Sequence, residues 1–558
     1  MHRLLAAASV ALVSLLAAGC ASIPTSGPVQ QGDPVVATDS AGDFDILVEG
    51  PAVGAPQEQI LEGFLEAALS PRGNYRVAKE FLTPTFADEW QADAVATIDV
   101  LADREQEAVD DTTWRVEATP AASLSNNGQC EEPDSSTPIL LDYRFEQVEG
   151  EWRIFSAPTG ILIDEVGFSQ VFRKYTLYFF DPTYRNLVPD VRWYVGRESA
   201  QTSIVQALLG GAAEWLAPGV VSAFPEGAEL DPAAVPVSGG VASVSLAGAA
   251  LDNLSTVQRM QAQLDASLIG VRNITSVDLT LNGADPDAPR LSPEPPTNQR
   301  VDPRSVVFDG ETFGYLATSG EGVDPIGGIS DQIVALAPTG ASLGPGAESA
   351  AVRSADGVSI VRSGEEPVFL DPRDGLVTPA IDGQGVVWSV PSGLPDQLVW
   401  FAPDGTTEQV PVPWSGSSIA AIEVSRDSTR IAALLADGGR THFVVASIER
   451  RDDGRPAGLG PVALDLADIS GTPLDVAWLD SRTVASLTAL PDGTTRIITQ
   501  ELGGFARESD GPVAGVLIDG GNDDLRALTS NGELDVRSGV GWQVRAAGIR
   551  FIAAQQPD

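Results

Sequence analysis

Position 20 carries the most legible chemistry in the chain. Residues 4–18 form an Ala/Leu/Val run behind Arg3, and Ala17-Ala18-Gly19-Cys20 follows. A short positive start, an apolar core and small residues before a cut define an export signal. Cysteine directly after those small residues changes the outcome of export. Its sulfur can take a diacylglycerol, the peptide bond between Gly19 and Cys20 is cut, and the new N-terminus is acylated. The usual pattern has leucine three residues before the cysteine; here Ala17 holds that place and the leucine is Leu16. The run is shorter than the ~18–20 apolar residues of a spanning helix. The sequence therefore predicts a signal peptide over 1–19 and a protein held on the extracytoplasmic face of the cell membrane by acyl chains on Cys20. A soluble secreted protein with an incidental Cys20 is the alternative.

Other reactive residues are few. Beyond the signal the only histidine is His442, in the alternating segment Arg440-Thr-His-Phe-Val-Val-Ala. One histidine and one remaining cysteine, Cys130, cannot build a zinc site of three or four nitrogen and sulfur ligands. With Cys20 acylated, Cys130 has no intramolecular disulfide partner; its setting, Asn127-Gly-Gln-Cys-Glu-Glu, reads as a polar loop with an exposed thiol. Gly340-Ala-Ser342-Leu-Gly344 fits the G-x-S-x-G nucleophile pattern. That pattern needs a strand before the serine and a helix after it, whereas Leu336-Ala-Pro and Pro345-Gly-Ala-Glu flank it here. Gly520-Gly-Asn-Asp-Asp524 matches part of a calcium loop, but a single copy reads as a β-turn. Acidic pairs are too common in this chain to single out a glycosidase couple. The sequence predicts no catalytic residue, no metal and no cofactor, with cell-wall hydrolysis kept as a rival class.

The 558 residues hold 77 Asp and Glu against 34 Lys and Arg, a formal charge of −43. Nucleic-acid binding needs basic footprints and adhesion to anionic headgroups needs basic clusters, so both are excluded. The length predicts several domains.

Positioning elements follow in order. Residues 20–55, rich in Pro, Gly, Ser and Asp, read as a disordered tether with an end-to-end distance of roughly 30–35 Å. Over 56–168, Ile60, Leu61, Phe64, Leu65, Ala68 and Leu69 recur at helical spacing, and a second helix passes Val77, Phe81 and Leu82. Strands are expected at 97–101, 114–118, 139–146 and 152–157. Helices before strands read as α+β, similar to cone-shaped NTF2-like domains. A second α+β unit spans 170–285, with strands at 174–180, 187–195, 235–237, 241–246 and 274–281 and helices at 199–210 and 255–268. Residues 286–303 form a Pro-rich linker.

From 304 to 558 no helix is expected. Turns at Asp309-Gly310, Asp356-Gly357, Asp404-Gly405, Asp437-Gly438, Asp492-Gly493 and Asn531-Gly532 lie 47, 48, 33, 55 and 39 residues apart. The mean of about 44 is the length of a four-stranded propeller blade. Two segments, Ile422-Glu-Val-Ser-Arg-Asp-Ser-Thr-Arg-Ile-Ala and Val476-Ala-Trp-Leu-Asp-Ser-Arg-Thr-Val-Ala, resemble the strand–turn–strand repeats of TolB-like propellers. A propeller of about six blades is expected, with a barrel or sandwich as the alternative. Trp388, Trp400, Trp414, Trp478 and Trp542 sit in or beside these strands and read as inter-blade core.

The order of parts resembles the LpqB family of actinobacterial lipoproteins. Cys20-Ala-Ser-Ile-Pro-Thr-Ser-Gly-Pro-Val-Gln-Gln-Gly is similar to its mature start. Its GerMN domain, shared with spore-germination proteins, is matched by Leu177-Tyr-Phe-Phe-Asp-Pro, Leu187-Val-Pro-Asp-Val-Arg, Ala207-Leu-Leu-Gly-Gly, Val237-Ser-Gly-Gly-Val-Ala-Ser-Val-Ser-Leu and Val277-Asp-Leu-Thr-Leu-Asn-Gly. The C-terminal β region resembles the family's propeller. The resemblance implies a non-enzymatic accessory protein that binds the ectodomain of the sensor histidine kinase MtrB. In that role it would modulate the MtrA–MtrB two-component system in envelope homeostasis and cell division. A binding module for a cell-wall-derived ligand, in the propeller channel or on the GerMN surface, is the second class.

Overall fold

Ile60, Leu61, Phe64 and Leu65 are buried along one face of a helix over Gln57–Ala67, as their spacing requires. The computed structural model describes residues 48–557 except 134–136, 197–198, 249–252, 452, 468–469 and 523. The signal peptide, Gly19, Cys20 and most of the expected tether lie outside the described residues. Ordered packing begins earlier than residue 56: Ala55 is buried, Val48 packs on the same core, and Gly54 N donates to Glu151 Oε2 at 2.7 Å.

That first helix packs on Glu151–Ser156 and Ile161–Asp164. These strands belong to two four-stranded sheets. One orders Cys130–Glu131, Pro120–Ser125, Val95–Asp99 and Ile161–Asp164; the other orders Glu105–Ala108, Thr113–Ala118, Ile139–Val148 and Glu151–Ser156. Pro120–Ser125 reads Pro-Ala-Ala-Ser-Leu-Ser, poor strand formers held by their pairing, so propensity alone misses it. A helix over Glu165–Val171, capped by Asp164 Oδ1, runs straight into the next region.

In the middle region a hairpin pairs Phe172–Phe180 with Leu187–Val195. Asp181 closes it, accepting from the backbone N–H of Arg185 and Asn186 at 2.7 and 2.6 Å. Val241–Ala247 and Ser276–Leu281 pair in parallel, joined by the crossover helix Leu254–Leu268. Residues 286–303 are tied down along their length. Gln258 Nε2 donates to Pro289 O, Arg290 pairs with Asp265, and Leu187 N donates to Pro296 O.

The remainder is a propeller-like β domain built of four-stranded units. The first strands of successive units are Gly340–Leu343, Ala380–Ile381, Ser418–Val424, Thr472–Trp478 and Gly515–Gly521, each beside the next. The last strand, Phe551–Gln555, pairs antiparallel with Val306–Phe308 and parallel with Gly340–Leu343, so the C-terminus completes the unit that the N-terminal strands begin. Adjacent first strands approach closely: a Cβ on Gly520 would sit 2.0 Å from Trp478 O. Five of the six Asp/Asn-Gly turns join the second and third strands of their units. Asp404-Gly405 instead joins the third and fourth, because the equivalent connection in that unit is the longer loop 390–398. This displacement accounts for the uneven 48 and 33 spacing. One expectation fails: Ser330–Ala335 is a helix, with Ile333 and the preceding Ile329 buried. Six residues are too few for helical periodicity to register.

The three regions share a seam. The loop following Thr495–Glu501 enters it: Trp193 Nε1 donates to Gly503 O at 2.8 Å, and Phe505 stacks edge-on against Phe168 and Trp193. Ala506 N donates to Glu132 Oε1 at 2.8 Å, and Arg482 donates to Thr176 Oγ1 at 3.1 Å. Buried Arg192 pins the first region to the second, donating to Asn127 O at 2.8 Å while paired with Asp190. The apolar core of the middle region continues into Leu464, Trp478 and Leu502 of the propeller-like domain.

Candidate functional site

Ser342 lies within the strand Gly340–Leu343, buried, and donates its Oγ proton to Pro379 O at 2.7 Å. A strand is no nucleophile elbow. Ser342→Ala is expected to leave complementation intact and to cost about 1–2 kcal/mol, since Pro379 O loses its partner; thermal melting and a growth assay check both. His442 is half-buried in Arg440–Arg450, paired to Leu435 through the backbone. Cys130, expected as an exposed loop thiol, is buried on an edge strand opposite Leu124. Burial, then Glu132 and Glu131, pushes its thiol up to about 12, which removes the thiolate needed for reactivity. Asn522 holds the linker: its side chain accepts from Val301 N at 3.0 Å and donates to Val301 O at 2.8 Å. Among the described residues no group of three or more His, Cys, Asp or Glu could hold a metal ion.

The sequence reading missed a set of carboxylates. Glu423, Asp475 and Asp519 stand on three successive first strands of the propeller-like domain. Each of the first two reaches the next unit's backbone: Trp478 N donates to Glu423 Oε2 at 3.3 Å and Ile518 N to Asp475 Oδ2 at 2.9 Å. Asp519 pairs with Arg526 at 3.3 Å. On the linker side Arg426 donates to Gly520 O at 3.0 Å and Gln299 O at 3.4 Å, and Gln556 Nε2 donates to Val424 O at 3.2 Å. The linker and the C-terminus thus cover that end of the first strands.

Burial, set against the N–H donors of Ile518 and Val476, brings Asp475 up to about 7. Burial and then Asp519 and Asp475 push Glu423 well above the usual carboxylate range, and burial raises Asp519 against the pull of Arg526. The folded protein therefore binds protons that the unfolded chain releases. The stability contributed by Asp475 is complete below its unfolded value of ~3.9 and is lost as pH rises toward its folded value of about 7. Asp475→Asn is expected to raise the melting temperature by several degrees at about pH 8 and to change it little at about pH 4. Thermal unfolding at both values checks this; a gain confined to the acid side contradicts it.

The tryptophans behave as inter-unit core. Trp388, Trp400 and Trp414 share one buried cluster, Trp478 is buried in the cluster that continues from the middle region, and Trp542 is half-buried and donates to Asp510 O. A larger opening lies elsewhere, a cleft of about 510 Å³ between the helix Leu254–Leu268 and the Pro-rich segment. Tyr178 and Leu187 from the hairpin line it, with Asp265, Arg290 and Glu294.

Comparison with known families gives three matches along the chain. Residues 50–169 match the N-terminal domain of lipoprotein LpqB, 176–287 match the Germane domain of sporulation and spore germination, and 315–548 match the LpqB β-propeller domain. Lipoprotein LpqB of Cutibacterium acnes is 26% identical over 88% of this chain and 87% of its own. That of Rhodococcus jostii is 27% identical over 88% and 86%. The chain belongs to the LpqB lipoprotein family.

Membership accounts for the order of the regions and for the propeller-like end. The family is one of membrane-anchored lipoproteins. No helix of the described residues is long and apolar enough to cross a membrane. Among solved structures, a nidogen–laminin complex aligns over 45% of this chain and 95% of its own at 11% identity, with a TM-score of 0.32.

Proposed function

We propose that this protein is a non-catalytic accessory module, carried on the extracytoplasmic face of the membrane by acyl chains on Cys20 after cleavage at Gly19. From there it binds a sensor histidine kinase ectodomain, MtrB by family resemblance. Through that contact it modulates two-component signalling in envelope homeostasis and cell division. One observation carries the reading: the Gly503–Ala506 loop, with Trp193, Phe168 and Glu132, ties all three domains together. A body so tied presents fixed surfaces, which suits a partner-binding role. In this reading the four-stranded units are six blades around an axis, closed by Phe551–Gln555, and the first domain is NTF2-like. The acidic surface favours a basic or neutral patch on the partner.

A soluble form beginning at Val48 is expected to bind the kinase ectodomain weakly, with affinity falling as salt rises. Titration calorimetry at two salt concentrations tests it. Tight binding indifferent to salt contradicts the electrostatic part, and absence of any complex contradicts the reading. The 510 Å³ cleft favours a second reading, a binding module for a small wall-derived ligand. A muropeptide titration separates the two.

A further inference from the structure

We propose that a second cleft, at the seam between the N-terminal and Germane domains, binds a neutral N-acetylated sugar. The cleft measures about 270 Å³. This is small against the ~300–1,000 Å³ of drug-sized pockets, so it suits a single ring better than a chain.

Its lining departs from the rest of the molecule. The protein carries a formal charge of −43, yet Asp93 is the single charged residue lining the cleft. Phosphates and other anions therefore find no cation there, and a cationic ligand finds one exposed carboxylate. The remaining groups are of two kinds. Trp193 and Tyr194, both half-buried, provide ring surface on which the C–H face of a sugar packs, with buried Tyr75 and Phe172 behind them. Asn74, Ser125, Asn126 and Ser203 provide carboxamides and hydroxyls, which both donate and accept, as hydroxyl and acetamido groups require.

The cleft is also held in shape. Tyr194 Oη donates to Asn127 O at 3.1 Å, Arg192 donates to the same carbonyl at 2.8 Å, and Trp193 N donates to Gly128 O at 2.8 Å. Gly128 has φ +84°, and a Cβ there would meet Trp193 O at 2.9 Å. On the opposite wall Gly73, Asn74 and Tyr75 take left-handed conformations in succession, with φ of 58°, 56° and 55°. The left-handed conformation suits Gly73 and Asn74 but is unfavourable for Tyr75, and strain of this kind concentrates at ligand clamps. It turns Asn74 and Tyr75 into the cleft wall. This assignment stands apart from kinase docking and fails or holds without it.

The test titrates detergent-solubilised full-length protein with N-acetylglucosamine by ligand-observed NMR, with an alanine dipeptide as the competing chemistry. N-acetylglucosamine is expected to bind with a millimolar dissociation constant. Asn126→Ala, at an exposed position that leaves the fold intact, is expected to weaken binding about five- to tenfold, the worth of one hydrogen bond. Tyr194→Ala is expected to abolish it. No binding of the sugar, binding that neither substitution weakens, or preference for the dipeptide would each overturn the proposal.

Discussion

Cys20→Ala is expected to release the protein from the membrane or to leave it as uncut precursor. The physical basis is the strength of acyl anchoring. One chain gives only marginal and reversible binding, so stable retention depends on the two or three chains that a lipoprotein cysteine carries. The full chain's formal charge of −43 repels anionic headgroups, and no described helix is long and apolar enough to cross a bilayer. Membrane fractionation should therefore move nearly all of the substituted protein to the soluble fraction, or shift its mass to that of the precursor. A mature-size band still sedimenting with membranes contradicts the assignment.

Gly503→Val combined with Phe505→Ala is expected to uncouple the N-terminal domain from the propeller-like domain while leaving the four-stranded units folded. Gly503 has φ +79°, and a Cβ there would lie 2.9 Å from Val191 O. The substitution therefore adds backbone strain of about 1–2 kcal/mol to a steric clash, and displaces the carbonyl that Trp193 bonds. Removing Phe505 deletes the half-buried ring packed on Phe168 and Trp193, a further loss below the ~3–5 kcal/mol of a fully buried ring. Together these outweigh the bond that Glu132 keeps, at about 1 kcal/mol, while the apolar core shared with Leu464, Trp478 and Leu502 still holds the middle region to the propeller-like domain. Calorimetry should resolve a separate, earlier transition for the N-terminal domain, where the native protein is expected to show one cooperative transition across the seam. A single unshifted transition would show that the seam is not energetically coupled.

Much of this was legible in the sequence, and the reasons differ by region. The hairpin 172–195 and the helix 254–268 were found because alternation and helical spacing are strong where one face is buried. The four-stranded repeat was visible through Asp-Gly and Asn-Gly turns, since the glycine of each takes a positive φ that side chains disfavour. Cys130 was misread because its neighbours are polar. The strand pairing that buries it comes from Leu124 and the Glu132–Ala506 contact, both remote from the local pattern. The seam was invisible for the same reason: Trp193 and Gly503 are 310 residues apart. Glu423, Asp475 and Asp519 did leave a signal. Each stands between aliphatic or small neighbours in a first strand, as Ile-Glu-Val, Leu-Asp-Val and Ile-Asp-Gly. A carboxylate in so apolar a run, recurring in successive units, marks the first strand of each. For the G-x-S-x-G match the flanking Pro and Gly residues were the informative part, because they cannot form the helix that follows a nucleophile.

The central claim is that a tied three-domain body, confined by its lipid anchor, meets a sensor kinase ectodomain at the membrane. Confinement raises the effective concentration of the partners, so a weak interface suffices there and fails in bulk solution. Photo-cross-linking in intact membranes, with the reactive group placed in turn on exposed positions of each domain, tests this most directly. The account predicts adducts with the kinase ectodomain from one contiguous face of the anchored protein, and their loss when Cys20→Ala protein is secreted at native abundance. Absence of kinase adducts from every face of the anchored protein would contradict it, as would undiminished adducts and full signalling from the secreted form.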